Sequence, residues 1–381
     1  MLTRFEVENY KNFKNKLVLD LENSGGYKFN SDSIYKNIIS KLLVYGKNSS
    51  GKTNLGKAIM DISSSPYFIS SDNYYINADN INETAKFKYC FKFDDKYIEY
   101  YYEKNSEMML SQEKLSIDNE LIYFIDYDNF SKSSTNLSAI NMETLVIDKF
   151  FEAINSSSED EDDKYRRPSF LRWISANSVL DEDSVIISLV KYIENMTMVT
   201  VSNLIRNPHP RSIQMRLFSK FDESWVKELE HFFNQMGVEC ELILKTLPDG
   251  EKQLYFNHET PILFFETASS GTLALYNLYR RVIVPAKEAS LLFLDEYDAF
   301  YHYELSRNVF KYLRDNYPKT QIIFTTHNIN LMTNKITRPD CLFILSLDGR
   351  LTSLNNATGR ELRQGHNIEK LYVSGEFEDY E

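Results

Sequence analysis

Residues 46–53 combine residue types and a spacing that suit phosphate binding, because they fit the pattern G-x-x-x-x-G-K-[ST] at every fixed position. The two glycines let the backbone curl so that successive N–H groups point inward at a phosphate. The lysine reaches the β- and γ-phosphates, and the threonine hydroxyl ligates Mg²⁺. We therefore predict phosphate contacts along the whole loop: Gly46, Lys47, Asn48, Ser49, Ser50, Gly51, Lys52, Thr53 and Asn54.

The surroundings of this loop favour the same interpretation. An apolar strand over residues 39–45 precedes the loop, and a helical pattern over residues 52–63 follows it. The N-terminus of that helix adds a positive dipole end where a phosphate would lie. The alternative is a chance glycine-rich turn, which does not require this strand-to-helix context.

Two carboxylates follow an apolar strand later in the chain. Residues 291–294 are all apolar and lead into Asp295 and Glu296. Open α/β sheets bind their ligands at this end of their strands. We expect Asp295 to hold Mg²⁺ together with Thr53, and Glu296 to orient and deprotonate the attacking water. Apolar runs that end in Asp-Glu also occur by chance, but a position downstream of a phosphate loop favours the functional interpretation.

Two further segments could contact a nucleotide. The apolar strand that begins at Gln321 ends at His327, which lies near the γ-phosphate or is only a polar strand tip. A second helix start could form another anion site through its N–H groups and hydroxyls, although ordinary helix capping explains the same residues. These residues are Ser269, Ser270, Gly271 and Thr272.

The composition limits the class of protein. The chain has 381 residues, 43% of them hydrophobic, and a formal net charge of -12, which argues against a broad nucleic-acid-binding surface but not against a local basic groove. Its three cysteines, Cys90, Cys240 and Cys341, have neither metal-site spacing nor a disulfide pattern, so we expect a reducing, cytoplasmic setting. We also expect no signal region and no membrane association, because no apolar stretch approaches 18 residues.

The pattern along the chain predicts an α/β protein. Alternating residues predict two antiparallel strands within 2–21, and polar residues predict a loop over 22–37. An antiparallel meander is predicted over 84–126 and a charged loop over 156–163. Mainly helices are predicted over 165–237, notably 184–196 and 222–236. A strand pair at 239–247 and 252–256 follows, and strands alternate with helices from 260 onward. The last of these patterns is typical of a parallel sheet covered by helices, with a helix over 303–315 and a further helix before a strand over 341–347.

The order of these motifs resembles the ABC-type ATPases. More narrowly, it resembles the soluble AAA-labelled branch related to SMC proteins, OLD nucleases and the ATPase subunits of bacterial anti-phage systems such as PARIS. Residues 5–14, 338–340 and 368–377 are similar to the beginning and end of that branch. The resemblance covers residues 1–65 and 260–377 well, and the middle weakly.

The resemblance implies an α/β fold of the ABC-type ATPase head, with a mixed sheet around the phosphate loop, an antiparallel β meander and a helical insertion. It implies three parts. Residues 1–150 would form an N-terminal ATPase lobe with the phosphate loop and the meander. Residues 151–257 would form a mainly helical insertion, and residues 258–381 a C-terminal ATPase lobe with the other motifs.

The resemblance also implies roles and partners. Ser270 and Gly271 would belong to a signature motif that acts on ATP bound to another subunit, Asp298 would lie in the loop facing that subunit, and His327 would be the switch histidine. Catalysis would then rest on Lys52, Glu296 and His327, with ATP and Mg²⁺ as cofactors. The expected partners are further copies of the chain, as an ATP-linked pair or a larger oligomer, and a separate effector such as a Toprim-type nuclease, since the chain ends soon after the ATPase core. The motif differs from the transporter sequence Leu-Ser-Gly-Gly-Gln, and the lid-loop glutamine is not located.

Three functions are therefore open. The first is an ATP-hydrolysing switch in phage defence that controls a separate effector. The second is a DNA-repair or chromosome-associated ATPase that clamps DNA, for which scattered surface arginines are the simpler explanation of the candidate residues. These candidates are Arg166, Arg167, Arg172, Arg206, Arg211 and Arg216. The third is a scaffold that binds ATP without turnover, against which Glu296 argues.

Overall fold

The computed structural model describes residues 1–63, 74–142, 145–157, 167–178, 180–181, 183–200, 222–248, 250–299 and 301–381. Most of the predicted charged loop over 156–163 lies outside these residues. The same holds for several of the arginines proposed for DNA contact, namely Arg166, Arg206, Arg211 and Arg216.

Strands and helices alternate through most of the described chain. The strands are β1 (Leu2–Glu8), β2 (Leu17–Asp20), β3 (Ile34–Tyr35), β4 (Ile38–Ile39), β5 (Lys41–Tyr45), β6 (Ala85–Phe93), β7 (Lys96–Ser106), β8 (Met109–Ile117), β9 (Glu120–Asp126), β10 (Ser134–Thr135), β11 (Met196–Val199), β12 (Leu242–Thr246), β13 (Lys252–Phe256), β14 (Ile262–Leu263), β15 (Leu291–Leu294), β16 (Gln321–Thr326), β17 (Leu342–Leu345) and β18 (Leu351–Ser353). The helices are α1 (Lys52–Met60), α2 (Asp148–Ser157), α3 (Phe170–Asn177), α4 (Val185–Glu194), α5 (Glu223–Gln235), α6 (Phe264–Thr267), α7 (Ser270–Leu278), α8 (Val284–Ala286), α9 (Tyr303–Asn316) and α10 (Ile368–Val373). A π-helical turn, Tyr279–Ile283, joins α7 to α8.

Most strands of the described residues form two large sheets, while β12, β13 and β14 form a small three-stranded sheet and β3 pairs with β4. The outer sheet is antiparallel, in the order β10-β9-β8-β7-β6-β1-β2, and contains both the predicted N-terminal strand pair and the predicted meander. The inner sheet has the order β11-β15-β16-β5-β17-β18 and is parallel except for β18. These sheets and their helices confirm the predicted α/β class.

The inner sheet separates two hydrophobic cores. Successive side chains of a strand point to opposite faces, so Leu42 and Val44 of β5 join the core shared with the outer sheet, while Leu43 joins the core beneath α5 and α9. Helix α1 lies in the first of these cores, close to β15. A Cβ atom added to Gly56 would lie 2.5 Å from the Phe293 ring. The strand end that supplies Asp295 is thereby held beside the start of α1.

Three local predictions are wrong. Strand β11 lies where we predicted helices, because pairing with the buried strand β15 outweighs local periodicity. The predicted helix between β16 and β17 is replaced by two short 3₁₀ turns, Ile329–Leu331 and Pro339–Cys341. The second turn begins at a proline, which has no N–H to continue an α-helix. The predicted loop over 22–37 contains a 3₁₀ turn and β3, which pairs with β4.

The division into three parts at residues 150 and 257 stays a prediction. The inner sheet takes strands from all three predicted parts: β5 from the first, β11 from the second and β15 to β18 from the third. Among the described residues, each helix is too short or too polar to cross a lipid bilayer.

Candidate nucleotide site

The phosphate loop joins the carboxyl end of β5 to α1. Its first residue is fixed by a hydrogen bond from the Gly46 N–H to the Thr326 carbonyl oxygen, at 3.2 Å. A Cβ atom on Gly46 would lie 2.4 Å from Ser50 Oγ, so any larger residue would force the Ser50 side chain to move. Gly51 has a φ of 101°, in the left-handed region that favours glycine. The spacing of the two glycines therefore follows from the path of the backbone.

The loop and the start of α1 offer N–H groups to an anion. Within the described chain, no side chain caps α1, so its first amides remain available as donors. Ser50 Oγ is buried and has no hydrogen-bond partner among the described residues. Lys47, Asn48 and Ser49 form the exposed tip of the loop. These features fit a bound phosphate chain.

Lys52 is buried with only 4% of its surface exposed. Its Nζ donates to the carbonyl oxygens of Gly46 at 2.9 Å and Lys47 at 3.3 Å, inside the loop. The same nitrogen lies 3.6 Å from Glu296 Oε1. The ammonium group is thus held between the loop and the predicted general base, where it could neutralise phosphate charge.

Asp295 links the two halves of the site. Thr53 Oγ1 donates to Asp295 Oδ2 at 2.7 Å, and Thr325 Oγ1 donates to Asp295 Oδ1 at 2.9 Å. Burial raises the pKa of the Asp295 carboxyl, hydrogen bonds from the two threonines act in the opposite direction, and the charge of Glu296 adds to the increase. A desolvated carboxylate beside a second one is an environment that a cation would stabilise.

Glu296 has a strained backbone. Its φ is 47°, which is uncommon for a residue with a side chain and recurs at functional sites. The Glu296 N–H donates to Thr325 Oγ1 at 2.8 Å. The side chain is 34% exposed and can therefore reach both Lys52 and solvent.

Sequence reasoning did not assign Thr325 a role. Its hydroxyl holds both Asp295 and the Glu296 backbone, because the parallel register pairs Leu294 with Phe324 and brings the next residues of both strands together. The signal was present in the run Thr-Thr-His at the end of a buried strand adjacent to the Asp-Glu strand.

Asp298 follows Asp295 and Glu296 in the chain and lies close to the end of β16. It is 7% exposed, and burial raises the pKa of its carboxyl, against hydrogen bonds from Thr326 and Asn328 and the nearby charge of His327. His327 itself is exposed. Within this chain the Asp298 carboxylate packs against the end of β16. Its predicted position opposite a second subunit stays a prediction.

Residues 269–272, which we considered as a second anion site, form the capped start of helix α7 in this chain. Ser269 Oγ accepts a hydrogen bond from the Thr272 N–H at 3.1 Å and lies 2.9 Å from Thr272 Oγ1. Ser269, Ser270 and Gly271 are exposed. Among the described residues, no hydrogen bond or ion pair connects them to the phosphate loop. The structure therefore brings together the loop, Asp295 and Glu296 and leaves this helix start on the surface.

The residues present fit a magnesium ion. Mg²⁺ prefers oxygen ligands and is usually held by one or two carboxylates together with substrate phosphates and water. The Thr53 hydroxyl and the Asp295 carboxylate supply such oxygens side by side. In the part of the chain that the structure describes, no group of three or more His, Cys, Asp or Glu side chains forms a metal site of its own.

Of the arginines proposed for DNA contact, Arg167 has internal partners. Its guanidinium donates to the Leu110 carbonyl oxygen at 2.9 Å and to Asp128 at 2.7 Å. Arg172 lies on the exposed side of α3. Contact with DNA stays a prediction.

Comparison with known proteins gives the family. The model described as "AAA domain, putative AbiEii toxin, Type IV TA system" matches residues 42–333, which is more than half of the chain and includes the phosphate loop, Asp295 and Glu296. The chain belongs to this family. It is an AAA-type, ATP-binding domain. No curated protein matches the sequence.

Several solved structures are similar to this AAA domain. One is an SMC head domain from Thermotoga maritima, with 14% identity, a TM-score of 0.43 and coverage of 92% of this chain and 98% of that one. Another is an SMC head bound to the C-winged helix domain of ScpA, with 14% identity, a TM-score of 0.44 and coverage of 93% and 97%. A third is the Smc head with an extended coiled coil bound to the C-terminal domain of ScpA derived from Pyrococcus furiosus, with 14% identity, a TM-score of 0.42 and coverage of 93% and 96%.

Proposed function

We propose that this AAA domain binds and hydrolyses ATP as a molecular switch and works as an oligomer. The observation that carries the proposal is the convergence of Lys52, Thr53, Asp295 and Glu296. They come from two separated segments, yet the Thr53 and Asp295 oxygens are 2.7 Å apart and the Lys52 and Glu296 charges 3.6 Å apart. A lysine and a hydroxyl on a phosphate loop, opposite two carboxylates, are the groups that phosphoryl transfer to water requires.

Each group has a distinct role. The loop amides and Lys52 bind the β- and γ-phosphates, and Thr53 and Asp295 hold Mg²⁺. Mg²⁺ bound by these two residues would supply charge neutralisation at the phosphate oxygens. Glu296 orients the attacking water and accepts its proton, and His327, at the end of β16, contacts the γ-phosphate.

The ion pair between Lys52 and Glu296 connects binding to hydrolysis. A phosphate that enters the loop competes for the Lys52 ammonium, because Lys52 can donate to it with the same charge-assisted hydrogen bonds. Glu296 then loses its cationic partner. The Glu296 carboxylate is then free to accept a hydrogen bond from the attacking water.

The oligomer is proposed from the exposed helix start at Ser269–Thr272. Among the described residues it has no hydrogen bond or ion pair with the phosphate loop of its own chain, and the N-terminal end of its helix dipole suits an anion. We propose that it faces ATP bound by a second copy. ATP then becomes part of the interface, and hydrolysis loosens it.

The biological role that we propose is phage defence through a separate effector, such as a Toprim-type nuclease. The support is the family description, which refers to a toxin of a toxin–antitoxin system. Co-purification of the chain with the product of a neighbouring nuclease gene is the expected result. Purification of the chain alone from the same cells would contradict this role.

The shared site is tested by mixing two inactive variants. Gly271→Asp places a carboxylate opposite the phosphate charge, whereas Lys52→Ala removes the phosphate-binding ammonium. Each mixed pair can form one intact site, with Lys52 from the first variant and Gly271 from the second, so ATP turnover should partly recover on mixing.

A matched control is Gly359→Asp, since Gly359 also has open space around its Cβ position. This variant should retain turnover without a partner. The shared site is wrong if Gly271→Asp alone turns over ATP at the wild-type rate at concentrations where it is monomeric.

A further inference from the structure

The connection between β1 and β2 touches the phosphate loop through one side chain. Asn12 Nδ2 donates to the Ser50 carbonyl oxygen at 3.2 Å, and Asn12 Oδ1 accepts from Asn54 Nδ2 at 2.6 Å. Gly51 lies between these two contacts, and a Cβ atom added there would be 2.3 Å from Asn12 Nδ2. Asn12 therefore lies against Gly51 and connects the end of the loop to the first turn of α1.

The turn that presents Asn12 is held independently of the loop. Asn77 is 7% exposed, and its Nδ2 donates to the Lys11 carbonyl oxygen at 2.6 Å. The Lys11 N–H donates to the Tyr75 carbonyl oxygen at 3.0 Å, and the Asn77 N–H donates to the Asn9 carbonyl oxygen at 3.2 Å. The turn also contains paired backbone hydrogen bonds between Tyr10 and Phe13. A rigid support thus places the Asn12 amide.

Asn9 extends this support to the start of the meander. Its Nδ2 lies within hydrogen-bond distance of three carbonyl oxygens, those of Asn80, Glu83 and Thr84, at 3.1–3.2 Å. Asn9 is 1% exposed and has a φ of 56°, which asparagine tolerates better than most residues. The Asn12 side chain, in contrast, is exposed and is not needed to hold the turn.

The part of the loop that Asn12 contacts is the part that most needs support. Ser49 has a φ of 68° and Gly51 a φ of 101°, so two residues near Ser50 are in the left-handed region. This conformation directs the loop amides inward. Binding is tighter when such a loop is already ordered, because the ligand then loses less of its binding free energy to ordering.

We propose that Asn12 is a positioning residue for the nucleotide, which keeps the second half of the phosphate loop in its binding conformation. This inference rests on the proposed function, because it assumes that the loop binds a nucleoside triphosphate. Asn12 lies 38 residues before Ser50 and outside the loop pattern, so inspection of the motif does not reveal it.

The test is the variant Asn12→Ala, measured for Mg²⁺-ATP affinity by calorimetry, for steady-state turnover and for thermal unfolding without nucleotide. We expect Kd and KM to rise about tenfold, which corresponds to the loss of one or two net hydrogen bonds. We expect kcat to change by less than about twofold, because Asn12 touches no reacting group. The unfolding midpoint should stay within about 2 °C of the wild type, because the turn keeps its other bonds.

A matched control is Asn136→Ala, which removes an exposed amide contact with Glu120 in the outer sheet, at 2.8 Å. This variant should leave Kd, KM and kcat unchanged. The double variant Asn12→Ala/Asn54→Ala should cost less than the sum of the single variants, because the two side chains share one hydrogen bond.

Three results would overturn the inference, and they are distinguishable. If wild type binds ATP and Asn12→Ala binds it equally well, only the role of Asn12 is wrong. If wild type does not bind ATP, the proposed function is wrong as well. If Asn12→Ala raises KM and also lowers the unfolding midpoint by more than about 2 °C, the positioning role is wrong as well. The rise in KM would then reflect a general loss of structure.

Discussion

Each of the two large sheets has a buried carboxylate that accepts hydrogen bonds from hydroxyl groups, but the number and type of donors differ. In the outer sheet, Glu113 is fully buried. Its donors, at 2.6–3.1 Å, are the hydroxyls of Tyr100, Tyr123, Tyr127 and Ser169 and the N–H groups of Phe170 and Leu171. The two N–H groups belong to the first turn of α3, whose dipole also favours a negative charge. Burial and the Glu113 charge raise the pKa values of the three tyrosines well above the ordinary value, so they remain protonated donors.

In the inner sheet, the described residues give Asp295 two hydrogen-bond donors, both threonine hydroxyls, and it lies beside a second carboxylate, Glu296. One of these hydroxyls, that of Thr53, is itself a potential metal ligand. The difference indicates two kinds of site. A carboxylate whose oxygens are all satisfied by donors of its own chain fixes a helix on a sheet, whereas a carboxylate pair with few donors is an environment that a cation would stabilise.

The largest effect that we predict is on turnover by Glu296→Gln. The amide has nearly the same shape but cannot accept a proton from water, so kcat should fall by roughly 10²–10⁴-fold. ATP affinity should be retained. A phosphate-release assay beside calorimetry measures both quantities, and wild-type hydrolysis by this variant would show that Glu296 is a structural residue like Glu113.

The matching change in the outer sheet is Glu113→Gln. It replaces one acceptor oxygen by an NH₂ group that faces other donors, so we expect the free energy of unfolding to fall by about 2–4 kcal/mol. The control is Glu120→Gln at an exposed position at the start of β9, which should change the free energy of unfolding by less than about 0.5 kcal/mol. Urea unfolding measures the difference. If Glu113→Gln is as stable as wild type but no longer hydrolyses ATP, the comparison between the two sites fails.

In the absence of nucleotide, Asp295→Asn should raise the free energy of unfolding, whereas Glu113→Gln lowers it, and the change should be smaller. Burial raises the Asp295 pKa in the folded state, so the folded chain holds more protons than the unfolded chain between the two pKa values. Stability therefore falls as pH rises through that window and is fully restored only below the ordinary aspartate pKa. Removing the charge should stabilise the protein at neutral pH by about 0.5–1 kcal/mol.

The same variant should lose Mg²⁺-dependent ATP turnover. Unfolding at neutral pH and at a pH below the ordinary aspartate range checks the sign, because the gain should disappear at the lower pH. A variant that is less stable than wild type at neutral pH would indicate that Asp295 is satisfied by its own chain in the way that Glu113 is.

The sequence predicted those parts of the site that depend on neighbouring residues. Gly46, Gly51 and Lys52 are set by one tight loop, and Asp295 and Glu296 by the end of one apolar strand, so short patterns contain their geometry. The antiparallel meander and the strand that leads to His327 could be predicted for the same reason, because each depends on local alternation or a single apolar run.

The parts that were missed depend on contacts between distant segments. Thr325 reaches Asp295 only because β15 and β16 are parallel in one register, and Asn12 reaches Ser50 only because Asn9 and Asn77 hold its turn. Similarly, β11 forms through pairing with β15, and its own residues carry a weak signal. No window of neighbouring residues contains this information.

The most direct test of the account is a calorimetric titration of the wild-type chain and Lys52→Ala with Mg²⁺-ATP, with Lys114→Ala in the outer sheet as the control. The central claim is that the phosphate loop, Asp295 and Glu296 form one nucleotide site. We predict one ATP per chain for wild type and for the control, and an affinity at least about 100-fold weaker for Lys52→Ala, because the buried ammonium no longer faces the phosphates. Binding of ATP by Lys52→Ala with wild-type affinity would contradict the claim.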